Sequence, residues 1–280
     1  MNDRRSTPAN GRVAAAHLQG KVKADRFVTG EAAQIGRFVA HLHSAPNGPV
    51  DRQLLFGDLL DIYEQRDGWA FLQARKDGYC GYLRAAALAP ATDATHAVQT
   101  RQTHIYPEAG FKARPLARLP FNAQITVIDD AEDWARVACP AGTGLVPTDH
   151  LRPLSDPLRD PAATAALFLG TPYLWAGNTG DGIDCSGLVQ AACLAAHIPC
   201  PGDSDQQVGS LGTAIDPYQP IQRNDLLFWK GHVALAETPE ILIHATAHGM
   251  ITKREPILQA IARIASAGDG PVTAHRRLFF

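Results

Sequence analysis

The sequence predicts an α+β domain of about 120 residues preceded by two small all-β barrels. Three observations predict it. The first half repeats itself weakly, at an offset of 65 and then 63 residues. Each copy consists of short alternating segments broken by glycine turns such as "RDG" and "KDG", the pattern of a small barrel or sandwich. After Asp160 the pattern changes, and helical stripes come first with short apolar strands behind them.

The repeat is carried by three matches in the same order. "FGDLLDI" (56–62) matches "FNAQITV" (121–127), and "DGWAFLQA" from Asp67 matches "EDWARVA" from Glu132. "GYLRAAAL" from Gly81 matches "GLVPTDHL" from Gly144. Trp69 and Trp134 stand seven residues beyond Ile62 and Val127. These matches place a first domain, with an N-terminal extension, at 1–90, a second at 95–153 and the third at 160–280. The Pro- and Asp-rich stretches 88–97 and 152–163 read as linkers. In the third domain, Pro161 sits where a helix's first turn accepts proline. Apolar residues at 188, 189, 191, 192, 195 and 196 predict a helix starting after Asp184. "DLLFW", "HVALA" and "ILIHA" then read as strands.

Composition narrows the partners. A formal charge of −2 over 280 residues leaves no electrostatic footprint for nucleic acid or an anionic membrane. Small molecules, peptides and neutral polymers remain, and nothing in the composition sets an oligomeric state. The first twenty residues hold no apolar run of signal-peptide length, and "AATAALFLGTPYLWAG" is interrupted by Gly170 and Pro172. Five cysteines without paired spacing describe neither a disulfide framework nor a zinc site. The expectation is a cytoplasmic chain with free thiols. No GxGxxG, P-loop or EF-hand loop is present, so no cofactor is expected.

The chemistry concentrates in "GDGIDCSGLVQAACLAA" (180–196). Asp184 is a natural N-cap, which leaves Cys185 in the first turn of a helix. Unpaired backbone N–H groups and the positive helix end there favour a thiolate, and the N–H of Cys185 is placed to bind an oxyanion. Small neighbours (Gly182, Ser186, Gly187) give a substrate backbone room to approach. Cys80, Cys139, Cys193 and Cys200 read as structural. "HVALAETPEILIHA" reads as a hairpin whose facing residue numbers sum to 476, which sets His232 opposite His244 on one face. His232 is then positioned to deprotonate Cys185 and His244 to orient it, the three-group logic of an activated nucleophile. A one-residue slip would separate the rings.

"YLWAGNTGDGIDCSGLVQ", "GHVALA" and "IHAT", in that order, resemble the NlpC-type cysteine peptidases of bacterial cell walls. The resemblance covers about residues 160–280 and implies a papain-like fold with Cys185 as nucleophile, His232 as base and His244 as orienting residue. Asp184 and Ser186 match the flanks of the family's "DCSG" motif. The repeated half resembles a pair of bacterial SH3-like domains. The whole layout is similar to cytoplasmic endopeptidases that cleave the γ-D-Glu–diaminopimelate bond of murein tri- or tetrapeptides bearing a free N-terminal L-Ala. That similarity implies an amino-end site made of Tyr79, Asp184, Ser186, Asp203 and Ser204, where an ammonium meets carboxylates and a phenol. Gly202 stands where the family often has Arg. An amidase or acyltransferase on the same fold, or a non-catalytic peptidoglycan-binding module, are the competing readings.

Overall fold

The computed structural model describes residues 3–140, 142–216 and 219–279. The chain forms two compact units, Met1–Ser155 and Asp156–Phe280.

The first unit opens on a short parallel pair, Val13–Ala15 with Arg26–Val28, which packs Val13 and Ala15 against Tyr63 and Phe71. The first repeat copy is a seven-stranded sheet running from Glu31–Ile35 to Leu88–Pro90. Its period-2 alternation is visible in Trp69–Ala74, where Ala70, Leu72 and Ala74 join Ile35, Leu42, Leu54, Leu60 and Leu83 in one core. The second copy follows the same local order. In each, three antiparallel strands (59–66, 69–74, 80–84; then 127–130, 134–139, 142–147) lead into a 3₁₀ turn, Ala85–Ala87 or Thr148–His150. A last strand then returns to pair with the copy's first, Leu88–Pro90 with Glu31–Ile35 and Leu151–Pro153 with His96–Val98. Trp69 and Trp134 both begin the central strand of their triplet.

The copies are not separated as their linker composition suggests. Leu88–Pro90 and His96–Val98, at the two ends of the 88–97 stretch, are strands. Phe56, from the first copy, lies in the core of the second with Val98, Leu119, Ile125 and Val137. Its carbonyl accepts from the N–H of Gln124 at 3.1 Å. Gly57 (φ 82°) follows, and a Cβ there would lie 2.0 Å from the Gln124 carbonyl oxygen. The strand edges therefore meet at a distance that only glycine permits.

In the second unit, α1 (Pro161–Ala166) is capped by Asp160, which also takes a bidentate bond from Arg223. The Ala162 N–H donates to Asn224 Oδ1 at 2.8 Å, so the helix start is tied to the sheet. Next come α2 (Cys185–Ala195), α3 (Ser204–Ser210) and α4 (Ile257–Ser266). Six antiparallel strands run in the order 213–214, 274–277, 225–229, 232–236, 241–246 and 251–256. Leu227, Trp229, Ala234 and Leu242 on one face pack on Ile257, Ala260 and Ile264 of α4. α2 packs against the strands 232–236 and 241–246 and against α1. Among the described residues no helix is long and apolar enough to cross a membrane.

Candidate active site

Asp184 organises the start of α2. Its Oδ1 accepts from the Gly187 N–H at 2.6 Å and the Ser186 hydroxyl at 3.0 Å, and its Oδ2 from the Ala176 N–H at 2.9 Å. The last of these bonds reaches Ala176 at φ 63°, a left-handed conformation that costs a non-glycine residue roughly 1–2 kcal/mol. The glycine-rich loop packs directly on this helix. A Cβ on Gly187 would lie 2.5 Å from the Gly177 carbonyl oxygen, so the small residue here admits the protein's own loop.

Cys185 sits in the first turn with 6% of its surface exposed. The N–H groups of Val233, Ser186 and Cys185 itself act on its sulfur. Val233 adjoins His232, and α2 packs on the strand 232–236 that carries both. Burial, with the Asp184 charge beside it, nevertheless pushes the thiol up to about 12. The helix-start argument expects a thiolate; in the folded site, loss of solvent outweighs the backbone dipoles, and the resting group is a thiol.

His232 and His244 are brought together, His232 Nε2 lying 3.0 Å from His244 Nδ1. The register differs from the expected one. Leu235 pairs with Ile243 and Ala236 with Leu242, so facing numbers sum to 478 rather than 476. The turn is centred one residue later because the Thr238 hydroxyl accepts from the N–H groups of Glu240 and Ile241, at 3.2 and 3.1 Å. A shift of two in the sum of pairs preserves which face each residue occupies, and the histidines meet diagonally. Trp229 lies against His232, ring centroids 5.7 Å apart. Burial lowers His232 to about 4 and His244 to about 3, so both are neutral imidazoles near pH 7.

Asp203 and Ser204 lie at the start of α3, both half-buried. Gln207 ties this loop to α2: its amide donates to the carbonyls of Ser186 at 2.9 Å and Pro201 at 3.0 Å. Gln190 donates to the Cys200 carbonyl at 3.0 Å. The loop is thus held by glutamines. Tyr79 belongs to the first unit, where it is buried in the core with Leu42 and Leu83.

With this geometry in place, comparison with known proteins is direct. Residues 170–261 match the model of the NlpC/P60 family, and residues 42–88 match the bacterial dipeptidyl-peptidase Sh3 domain. The second unit is an NlpC/P60 cysteine peptidase domain.

Two curated relatives are similar to the chain. A gamma-D-glutamyl-L-lysine dipeptidyl-peptidase of Bacillus cereus is 27% identical over 227 residues, 70% of this chain and 67% of that protein. One of Bacillus subtilis is 28% identical over 196 residues, 64% of each. The chain thus spans about two thirds of the length of these relatives. The crystal structure of an NlpC/P60 family protein from Bacillus cereus superposes with a TM-score of 0.75 at 20% identity, covering 88% of this chain and 99% of that one, a likeness of fold.

The NlpC/P60 domain holds two further charged groups that the sequence reading passes over. Glu255 Oε2 lies 3.0 Å from His244 Nε2, and Arg263 of α4 grips the Glu255 carboxylate with two bonds, 2.9 and 2.7 Å. Arg263 holds that carboxyl down at about 2. A signal exists in "ITKREP", where a single acid stands among bases, but only the strand register sets it beside a buried histidine. Four other cysteines are free, Cys80, Cys193 and Cys200 buried and Cys139 partly so.

Proposed function

We propose that the chain is a cysteine endopeptidase hydrolysing the γ-D-Glu–L-diamino acid bond of short murein peptides with a free N-terminal L-Ala. The observation that carries the reading is the 3.0 Å contact between His232 Nε2 and His244 Nδ1, with His232 at the start of the strand 232–236 on which the helix of Cys185 packs.

In this reading His232 uses Nδ1, the nitrogen that His244 does not engage. It takes the Cys185 proton as the sulfur attacks the isopeptide carbonyl, and a neutral buried imidazole is in the right state to do so. The Cys185 N–H supports the oxyanion. The resulting imidazolium returns the proton to the departing amine of the diamino acid, leaving a thioester. Water, deprotonated by His232, then cleaves the thioester and regenerates the thiol.

Asp184, Ser186, Asp203 and Ser204 are assigned to the substrate's ammonium, supported by the glutamine ties that draw α3 to α2. Tyr79 is included through the resemblance alone. We also infer that the two copies of the first unit are SH3-like barrels, since each closes its last strand on its first after a 3₁₀ turn. The helix-then-sheet order of the second unit supports a papain-like fold. A released-peptide substrate supports a cytoplasmic location for the enzyme.

Mass-spectrometric assay on L-Ala-γ-D-Glu-diaminopimelate, its N-acetylated form, its L-Lys counterpart and intact peptidoglycan tests the proposal. Release of L-Ala-γ-D-Glu from free-amine peptides, absent in Cys185→Ala, is expected. Cleavage of acetylated and free peptides alike would remove the amino-end site from the reading. Cleavage of none would turn the assignment toward another acyl substrate or a binding module.

A further inference from the structure

The pair of histidines poses a question of proton placement. A neutral imidazole carries one N–H, and which nitrogen bears it is set by what the other nitrogen meets. If His232 is to accept a proton at Nδ1, its own hydrogen sits on Nε2 and points at His244 Nδ1, 3.0 Å away. His244 Nδ1 must then be the acceptor, which forces the His244 hydrogen onto Nε2. That nitrogen is fully buried and has no aligned hydrogen-bond partner. The acceptor beside it is Glu255 Oε2 at 3.0 Å, set off the N–H axis.

Glu255 is suited to the task. Arg263 occupies both its oxygens from α4, and Lys253 approaches to 3.5 Å. The carboxylate therefore stays charged and can only accept. We propose that Glu255, clamped by Arg263, is a positioning residue that selects the Nε2–H tautomer of His244 and thereby leaves His232 Nδ1 free to take the proton of Cys185. Neither Glu255 nor Arg263 touches the nucleophile in this scheme; both act through His244. The inference rests on His232 being the base, but not on the identity of the peptide.

Other charges face the same group. Lys253 is the cross-strand partner of His244, Arg263 approaches it from α4, and Asp269, in the turn after α4, acts on His232. Lys230 and His248 line the adjoining cleft with Tyr173, His232, Thr246 and Asp269. Glu255 stands alone among these as the acid within 4 Å of a His244 nitrogen among the described residues.

The decisive measurement is the tautomer itself. Long-range ¹H–¹⁵N spectra of the full chain with labelled histidine, with His244 assigned by its loss in His244→Asn, should show the Nε2–H form in the wild type. Finding Nδ1–H there overturns the proposal without any variant of Glu255. Glu255→Gln, whose amide offers a donor as well as an acceptor, should shift His244 toward Nδ1–H. Alkylation of Cys185 by iodoacetamide, followed by peptide mapping, should then slow by about 10- to 100-fold, with Glu255→Asp recovering part of the rate. On a cleavable peptide the same loss should appear in kcat with KM unchanged. A folded Glu255→Gln protein with unaltered tautomer and alkylation rate would refute the role. Because the spectra and the alkylation need no peptide, failure to cleave murein peptides leaves this test standing.

Discussion

Asp184 caps α2 and is proposed to bind a substrate ammonium, and replacing it separates the two roles. In Asp184→Ala the Gly187 N–H loses its 2.6 Å partner and the Ala176 N–H its 2.9 Å partner, both inside the protein. Loss of an N-cap costs about 1 kcal/mol, and a buried amide left without an acceptor about 1–3 kcal/mol. The second unit should therefore lose about 2–4 kcal/mol. Asp184→Asn should lose less, since Oδ1 still accepts from Gly187 while an NH₂ is turned against the Ala176 N–H. Denaturant unfolding, with amide exchange of peptides covering 174–195, reads this directly. The thiol supplies an independent signal: the Asp184 charge raises it, so Cys185 alkylation should start at lower pH in the Asn variant. If Asp184 also binds the ammonium, the Asn variant should raise KM for a free-amine peptide and not for an acetylated one. A stability loss below about 1 kcal/mol for the Ala variant would refute the capping argument. An unchanged KM would leave Asp184 a purely structural residue.

Further expectations follow from the same geometry. Gly187→Ala places a methyl 2.5 Å from the Gly177 carbonyl oxygen, and should destabilise the second unit by about 1–3 kcal/mol, measurable by thermal melting. Phe56→Ala should cost about 3–5 kcal/mol and loosen the second repeat copy as well as the first, seen as faster amide exchange at Val98 and Val137. The pH dependence of stability has a definite sign. His232 and His244 lie at about 4 and about 3 in the fold against 6.5 unfolded, so the unfolded chain binds more protons between those values. Stability is full above pH 6.5 and falls as pH drops toward 4, His232 alone accounting for about 3 kcal/mol. Glu255, depressed from 4.5 to about 2, loses its own contribution as pH falls from about 4.5 to about 2, which overlaps only the foot of that range. Denaturation midpoints from pH 7 to 4.5 should show the slope, and His232→Gln should flatten it; an equal slope in the variant would contradict the assignment.

Much of the site was legible in the chain because it is built from local signals. A cap residue before a helical stripe puts a cysteine in a first turn whatever the tertiary context, and period-2 alternation keeps His232 and His244 on one face even when the register shifts by two. What the tertiary structure alone decided depends on distances between segments far apart in sequence. Burial turns the helix-start thiolate into a thiol, because desolvation is a property of the packed site and not of the helix. Gly187 proves to be spacing for the loop at Gly177. The linker between the β copies becomes strand at both ends because Leu88–Pro90 pairs with Ala33–Ile35 and His96–Val98 with Leu151–Pro153. Glu255 and Arg263 reach His244 only because pairing of the last two meander strands and the seat of α4 bring them there. Local patterns record what each segment prefers, whereas solvent exclusion and close approach exist only once segments have met.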